Sequence, residues 1–222
     1  RNIAMGYRAA MNPHTVSDNI AIGHSAMYAI AGGSYNFAFG TEAMYGHSSA
    51  GTNSNNIAMG YRSLYQVGKG SENVAIGHGT GYQILSGSQN TLLGHEAGKY
   101  TTGSGNTFVG YLSGYGGLGN SAPYSSGQFN TAVGYKTLED FTTAGANVAI
   151  GFESAKSITT GGSNIVLGYN TLPTATTAII KSIRVSNDDA SNACTLTLTL
   201  TDSAAAVFSL EKDKSIAAKT SA

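Results

Sequence analysis

The sequence predicts an all-β protein: a parallel β-solenoid, or β-roll, of about ten 17-residue coils, followed by a short antiparallel β region. Three observations support this fold class: a recurring Asn-x-x-x-Gly unit, a large apolar residue before each repeat glycine, and 30 glycines in 222 residues. Glycine costs about 1 kcal/mol relative to alanine inside a helix, so this glycine content disfavours helices. The period is also too short for helical repeats, which need roughly 30 residues or more.

The Asn-x-x-x-Gly unit occurs ten times, and most copies follow one another at the same interval. The repeat asparagines are Asn2, Asn19, Asn36, Asn56, Asn73, Asn90, Asn106, Asn130, Asn147 and Asn164. A glycine follows each of them four places later, as in Asn19 and Gly23, Asn73 and Gly77, and Asn147 and Gly151. We predict that the asparagine amides stack from coil to coil as a ladder. The glycine is expected to adopt positive φ or to permit a close backbone approach.

The residues between the asparagine and the glycine alternate large and small, as in Ile-Ala-Ile at 20–22. Such alternation is typical of a strand with two different faces, and the small residue indicates a crowded face. A small residue also lies seven places after each asparagine. About ten coils stacked at about 4.8 Å would form a rod roughly 45–50 Å long.

Two connections are longer than the regular period. The interval between Asn36 and Asn56 contains His47–Asn55, and the interval between Asn106 and Asn130 contains Gly116–Gln128. Insertions in solenoids often lie on the binding face. The sequence therefore predicts candidate recognition residues in these connections: His47, Asn53, Leu118, Pro123 and Tyr124. The alternative is that both are tolerated insertions or contacts to a neighbouring chain.

The repeat stops near Pro173, which predicts two regions, a solenoid over 1–173 and a β-strand region over 174–222. Three strands are predicted in the second region, at Ala178–Asn187, Thr195–Thr201 and Ala206–Leu210. So few strands are marginal as an independent domain. We therefore expect this region to be incomplete, so that either the chain continues beyond Ala222 or neighbouring chains cover its sheet.

The charge and cysteine content exclude several function classes. Twelve Lys and Arg balance twelve Asp and Glu, which argues against a nucleic-acid binder or an anionic membrane surface as partner. The single cysteine, Cys194, excludes an intrachain disulfide and a cysteine-based zinc site. No run of 18 apolar residues is present, so membrane insertion is not expected.

Two sets of chemically capable side chains recur at fixed positions. The residue after the repeat glycine is a histidine in three coils: His24, His78 and His95. A metal site is one interpretation, but tyrosine or phenylalanine fills this position in most other coils, which favours an aromatic ladder. The next position holds Glu42, Glu96 and Glu153. These glutamates are three coils apart, about 14 Å, too far for a glycosidase carboxylate pair. We therefore predict no catalytic, cofactor or metal site, and an ion pair of Glu42 with Arg62.

A column of tyrosines lies nine places after the repeat asparagine: Tyr28, Tyr45, Tyr65, Tyr82 and Tyr115. Tyrosine supplies rigid amphipathic contact area, which suits binding of sugars or proteins. The alternative, which we favour, is a structural ladder that closes a corner of the coil or a contact between chains.

Two segments carry a resemblance to known repeat families. Asn-Ile-Ala-Ile-Gly-His-Ser-Ala at 19–26 and Asn-Val-Ala-Ile-Gly-Phe-Glu-Ser at 147–154 resemble the head repeats of trimeric autotransporter adhesins. Asn-Thr-Ala-Val-Gly-Tyr-x-x-Leu at 130–138 is similar to repeats of bacteriophage tail fibres. The resemblance implies a parallel β-roll that trimerises at a virion or cell surface. The adhesin repeats are usually shorter than this one.

The pattern and the resemblance together lead to an expected function. We expect a structural and adhesive fibre segment, a phage tail fibre in the virion, built as a homotrimer and presenting a host-recognition surface to a cell-surface glycan or protein. The alternative is a bacterial surface adhesin or extracellular filament subunit, and a further one is a polysaccharide depolymerase spike. Neither enzymatic activity nor a cofactor is expected.

Overall fold

The computed structural model describes residues 1–11, 17–30, 32–46, 53–117 and 124–170, and the backbone of four short strands between residues 194 and 216. The chain divides into two compact units, Arg1–Thr177 and Ala178–Ala222. Secondary structure in these described ranges consists of strands and turns without a helix. Consequently the described part of the chain contains no helix with the length and apolar character needed to cross a membrane.

The first unit is the predicted parallel β-solenoid, and each coil contributes one strand to a single sheet. The ten strands are β1 Asn2–Met5, β2 Asn19–Ile22, β3 Phe37–Phe39, β4 Ile57–Met59, β5 Val74–Ile76, β6 Thr91–Leu93, β7 Thr107–Val109, β8 Thr131–Val133, β9 Val148–Ile150 and β10 Ile165–Leu167. They pair in sequence order, β1 with β2 and onward to β10. The predicted all-β solenoid is therefore confirmed.

The register of the sheet follows the sequence repeat without a slip. Ala21 pairs with Ala38, and Ala38 pairs with Ala58 across the first of the two long connections. Phe108 pairs with Ala132 across the second. Because equivalent residues are paired on either side of both long connections, neither connection shifts the register of the sheet.

The core is narrow and is filled from two sides. The central residue of strands β3 to β10 is buried, and the residues beside it are at least partly exposed. Most central residues are alanine, and larger side chains from the turn, such as Met44, Leu64 and Leu138, belong to the same buried cluster. Burial of these side chains is the main apolar stabilisation of the coil.

Three recurring positions have a left-handed backbone conformation although most coils place a residue other than glycine there. They are the residue before each repeat asparagine and the residues six and eight places after that asparagine. Glu72, Glu96 and Leu64 illustrate them, with φ of 61°, 52° and 48°. A left-handed conformation costs an L-residue roughly 1–2 kcal/mol, and hydrogen bonds between coils offset this cost. The sequence carries a weak signal for these positions, since glycine occupies some of them: Gly79, Gly81, Gly98, Gly105 and Gly114.

The second unit contains two antiparallel strand pairs. β11 Cys194–Leu196 pairs with β14 Lys214–Ile216, and β12 Thr199–Thr201 pairs with β13 Val207–Ser209. The segment predicted as one strand at Thr195–Thr201 is thus divided between two strands with different partners. Its Thr-Leu alternation has the same period on both sides of the division and does not mark a strand end. The strand predicted at Ala178–Asn187 lies outside the described residues.

Candidate functional site

The repeat asparagines form a buried ladder of amide hydrogen bonds along the solenoid. The backbone N–H and Nδ2 of Asn73 donate to Oδ1 of Asn56 at 2.9 and 3.1 Å. Nδ2 of Asn73 also donates to the carbonyl of Gly87 at 2.9 Å. Asn90 repeats the arrangement on Oδ1 of Asn73. Each amide thereby satisfies its donors and acceptor inside the protein, which buried polar groups require.

The repeat glycines have positive φ and also permit a close backbone approach, so both roles that the sequence suggested for them are present. Gly23, Gly77 and Gly151 have φ of 135°, 139° and 130°, where other residues are strained. A Cβ on Gly77 would collide with the carbonyl oxygen of Gly94 in the next coil. The glycine column therefore allows the backbones of consecutive coils to approach closely.

A second ladder, of serines two places before the asparagine, was missed by the sequence analysis. The backbone N–H of Ser54 donates to Oγ of Ser71 at 3.0 Å, and that of Ser71 donates to Oγ of Ser88 at 3.1 Å. The ladder comprises Ser17, Ser34, Ser54, Ser71, Ser88 and Ser104. The signal in the sequence is the recurring Ser-x-Asn triplet, which ends before Asn130.

The outward side of the sheet carries apolar side chains along its whole length. This outer apolar face consists of the apolar strand residues on either side of the buried centre: Ile3, Met5, Ile20, Ile22, Phe37, Phe39, Ile57, Met59, Val74, Ile76, Leu93, Val109, Val133, Val148, Ile150, Ile165 and Leu167. Ile76 and Ile150 keep 40% and 43% of their surface exposed. Exposed apolar surfaces of this extent are unusual for monomeric proteins.

Beside the outer apolar face runs the aromatic column, formed by the residue after each repeat glycine. Seven consecutive rings have centroids 4.8–5.2 Å apart: Tyr61, His78, His95, Tyr111, Tyr135, Phe152 and Tyr169. All neighbouring rings of this run are stacked except Tyr61 and His78, whose planes are tilted by 33°. The aromatic ladder expected from the sequence is confirmed. Tyr61, Tyr111 and Tyr135 remain about two-fifths exposed, so the column presents ring edges to the solvent.

The second tyrosine column also stacks, in agreement with the structural interpretation. Tyr45, Tyr65 and Tyr82 follow one another with centroids 5.0 and 4.9 Å apart. Lys99 occupies the equivalent place in the next coil, with Nζ 5.4 Å from the ring of Tyr115. Burial raises the pKa of the Tyr115 hydroxyl to about 12.

Charged side chains two places after the repeat glycine form ion pairs. Nε of Arg62 lies 2.6 Å from a carboxylate oxygen of Glu42, which is the pair that the sequence predicts. The hydrogen bond to Glu42 raises the pKa of the Arg62 guanidinium. Because the pair is partly exposed, it contributes at most about 1 kcal/mol.

The other two glutamates of this position have cations as neighbours. Glu96 pairs with Lys99 at 2.8 Å, and Glu153 pairs with Lys156 at 3.2 Å. For Lys99, burial lowers the pKa, whereas the hydrogen bond to Glu96 and the nearby tyrosines together raise it by more, so the net shift is upward. The three glutamates thus take part in separate ion pairs along the rod.

The three histidines that follow a repeat glycine have different surroundings. His24 stacks on Tyr7 with ring centroids 5.4 Å apart. His78 and His95 are direct neighbours, with centroids 4.8 Å apart and planes 3° from parallel. One potential ligand atom from each of His78, His95 and Glu96 lies within 4.8 Å of the other two. The structure therefore brings together three side chains, of types that can bind a metal ion, that the sequence placed in adjacent coils.

The structure describes two of the five candidate recognition residues. Asn53 is 2% exposed and donates from Nδ2 to the carbonyl of Gly68, so a partner cannot reach this side chain without opening the coil. Tyr124 is half-buried and stacks on Tyr100 with centroids 6.2 Å apart. His47, Leu118 and Pro123 lie outside the described residues.

The connection that carries Tyr124 returns to the regular coil at Ser125. Ser125 is fully buried, and its Oγ accepts from the backbone N–H of Gly117 at 2.7 Å and donates to the carbonyl of Phe141. Residues 125–128 of the predicted recognition connection are therefore part of the solenoid. Gly116 and Gly117 are part of it too, because their backbone N–H groups donate to the carbonyls of Glu139 and Phe141 at 3.0 and 3.3 Å. Residues 118–123 lie outside the described residues.

Comparisons with protein-family models, curated proteins and solved structures found no match to this chain.

Proposed function

We propose that this chain is a structural and adhesive fibre segment that assembles as a homotrimer and displays a host-recognition surface. The observation that carries the proposal is the outer apolar face, which runs along all ten strands. Ile76 and Ile150 illustrate it, because both are large, apolar and about two-fifths exposed. A second copy of this chain is a suitable occupant, since its own apolar face has the same length and the same spacing between coils.

The narrow core gives association an energetic advantage. Alanine fills the centre of most strands, so one coil buries little apolar area, and burial contributes only about 25 cal/mol per Å². Covering the outer apolar faces of several copies would add the missing burial. Three copies form a closed arrangement around an axis parallel to the rod, and closed symmetry is the rule for soluble oligomers.

The hydrogen-bond ladders fit a mechanical role. The Asn and Ser ladders and the ten-strand sheet all run parallel to the rod, and each coil contacts its direct neighbours. Bending the rod would stretch several of these ladders together. A stiff rod of this kind can carry a recognition surface away from the body to which it is attached.

We place this fibre in a phage virion as a tail fibre; a bacterial surface adhesin or extracellular filament subunit is the alternative. The recognition surface would include the connection near Tyr124, and the partner would be a cell-surface glycan or protein. Tyr124 and Tyr100 offer stacked, half-buried rings beside this connection, and tyrosine rings suit contacts with sugars or proteins. Immunogold labelling of purified phage particles and of bacterial cells with an antibody to this chain separates the two locations.

Sedimentation equilibrium tests the homotrimer. We expect three chains for the wild-type protein and a monomer for the double variant Ile76→Lys/Ile150→Lys, because lysine ammonium groups would be buried at the contact. Ser86→Lys is the matched control, since Ser86 is exposed and belongs to none of the strands that carry the outer apolar face; this variant should remain a trimer. A wild-type monomer with an intact far-UV β spectrum contradicts the proposal, as does a double variant that still forms a trimer.

A further inference from the structure

At one point of the aromatic column, two consecutive rings are histidine imidazoles, which can act as metal ligands. His78 and His95 follow each other in it, and Glu96 is the next residue along the chain. A ligand atom from each of the three side chains lies within 4.8 Å of the other two. Both histidines are exposed and Glu96 is partly buried, so a solvated ion can reach the group directly.

We propose that His78, His95 and Glu96 bind a divalent transition-metal ion, with Zn²⁺ as the best-fitting one. Two imidazole nitrogens and one carboxylate oxygen are a donor set that Zn²⁺ accepts, and water completes a four-coordinate site. This proposal replaces the expectation from the sequence that no metal site is present, because the structure adds Glu96 to the two neighbouring histidines. It is independent of the proposed fibre function, because it depends only on these three side chains.

The geometry requires a small adjustment of the side chains. Tetrahedral zinc ligands lie roughly 3.4 Å apart, so donor atoms that are now up to 4.8 Å apart must approach each other by up to about 1.4 Å. The two rings are 3° from parallel and must tilt toward a common point. Both are exposed, which leaves them room to turn, and Zn²⁺ imposes no geometric preference from its d electrons.

The stacking of coils in the solenoid explains why His78 and His95 form a pair whereas His24 does not. Stacking of coils brings equivalent residues of neighbouring coils to the spacing of the strands, so two histidines in succession become a pair. His24 has Tyr7 on one side, with ring centroids 5.4 Å apart, and Thr41 occupies its position in the following coil. His24 therefore serves as the internal control.

Lys99 competes with a metal ion at this place. Its Nζ lies 2.8 Å from a carboxylate oxygen of Glu96. A bound cation would compete with Lys99 for the negative charge of the Glu96 carboxylate and would be repelled by the ammonium group. Removal of Lys99 should therefore strengthen metal binding, whereas loss of either histidine should weaken it.

Isothermal titration of the untagged, assembled protein with Zn²⁺ tests the site. Tyrosine occupies the same position in neighbouring coils, so His78→Tyr and His95→Tyr preserve the stacking of the aromatic column. We expect each of them to weaken Zn²⁺ binding by about tenfold or more, and His24→Tyr to leave it unchanged. Absence of binding to the wild-type protein, or equal binding to His78→Tyr, overturns the proposal.

Two further measurements complete the test. Lys99→Gln should bind Zn²⁺ more tightly than the wild type, and unchanged affinity would remove Glu96 from the ligand set and overturn the three-residue site. Electron paramagnetic resonance of the wild-type protein with Cu²⁺ should show coupling to two imidazole nitrogens. This spectrum needs no variant, so it decides the question even if a substitution prevents folding; coupling to one nitrogen or none contradicts the site.

Discussion

The ring of Phe108 fills the space into which a side chain on Gly114 would point. Both residues belong to the same coil, Phe108 at the centre of β7 and Gly114 in the turn that follows it. Other coils have the opposite arrangement: Ala58 is combined with Leu64, and Ala132 with Leu138. In these coils the two positions therefore share one volume, which either the strand or the turn fills.

This shared volume predicts a compensating pair of substitutions. Phe108→Ala should lower the free energy of unfolding by about 3–5 kcal/mol through the cavity that it leaves. Gly114→Leu alone should also destabilise, by about 1–3 kcal/mol, because leucine overlaps the ring. The double variant should be more stable than the sum of the two effects predicts, since Gly114 has φ of 55° and Leu64 adopts a similar 48°. Urea unfolding of all four proteins measures the coupling, and strict additivity would show that the volumes are independent.

Replacement of a repeat glycine should destabilise the protein, whereas introduction of glycine at a left-handed position occupied by alanine should not. Gly77→Val and Gly151→Val should each destabilise by at least about 1–3 kcal/mol, because both have strongly positive φ. Ala146 is exposed with φ of 56°, so Ala146→Gly should leave the melting temperature unchanged or raise it. An unaltered melting temperature for the two valine variants together would contradict the close approach of the coils.

The Asn ladder should depend on every internal member. Asn73→Ala removes the acceptor for Asn90 and the donor for Gly87. Each buried polar group left without a partner costs about 1–3 kcal/mol, so thermal unfolding should show a loss of at least about 2 kcal/mol. Asn2→Ala is the control, because Asn2 is exposed and water can replace its amide at Asn19. Equal losses at both sites would show that the ladder adds nothing beyond local structure.

The tyrosine column predicts a loss of stability at high pH. Burial raises the pKa of Tyr115 to about 12, above the ordinary value of 10.0. A raised pKa in the folded state means that the stabilising effect is complete below about pH 10 and is lost as the pH rises toward 12. Burial also raises the pKa of Tyr65. We therefore expect the melting temperature to fall between pH 10 and 12, and to fall less for Tyr115→Phe. Identical profiles for the two proteins would assign the loss to other groups.

The sequence alone was sufficient for the solenoid, for the Asn ladder through Asn73, for the positive φ and close packing of Gly77, and for the pair of Glu42 with Arg62. These features share one physical cause. When a chain coils with a constant number of residues, equivalent side chains must stack at the spacing of the strands. The residue type and the period then define the contact without further knowledge of the fold.

Other features were decided by the tertiary structure. The burial of Asn53, the sharing of one volume by Phe108 and Gly114, and the proximity of Glu96 to His78 depend on the path of the chain around the coil. That path is set by the left-handed positions in the turns, which non-glycine residues such as Leu64 occupy in most coils, so the residue types do not reveal it. Periodicity determines which coil a residue contacts, whereas the cross-section of the coil decides which side chains meet inside it and which remain exposed.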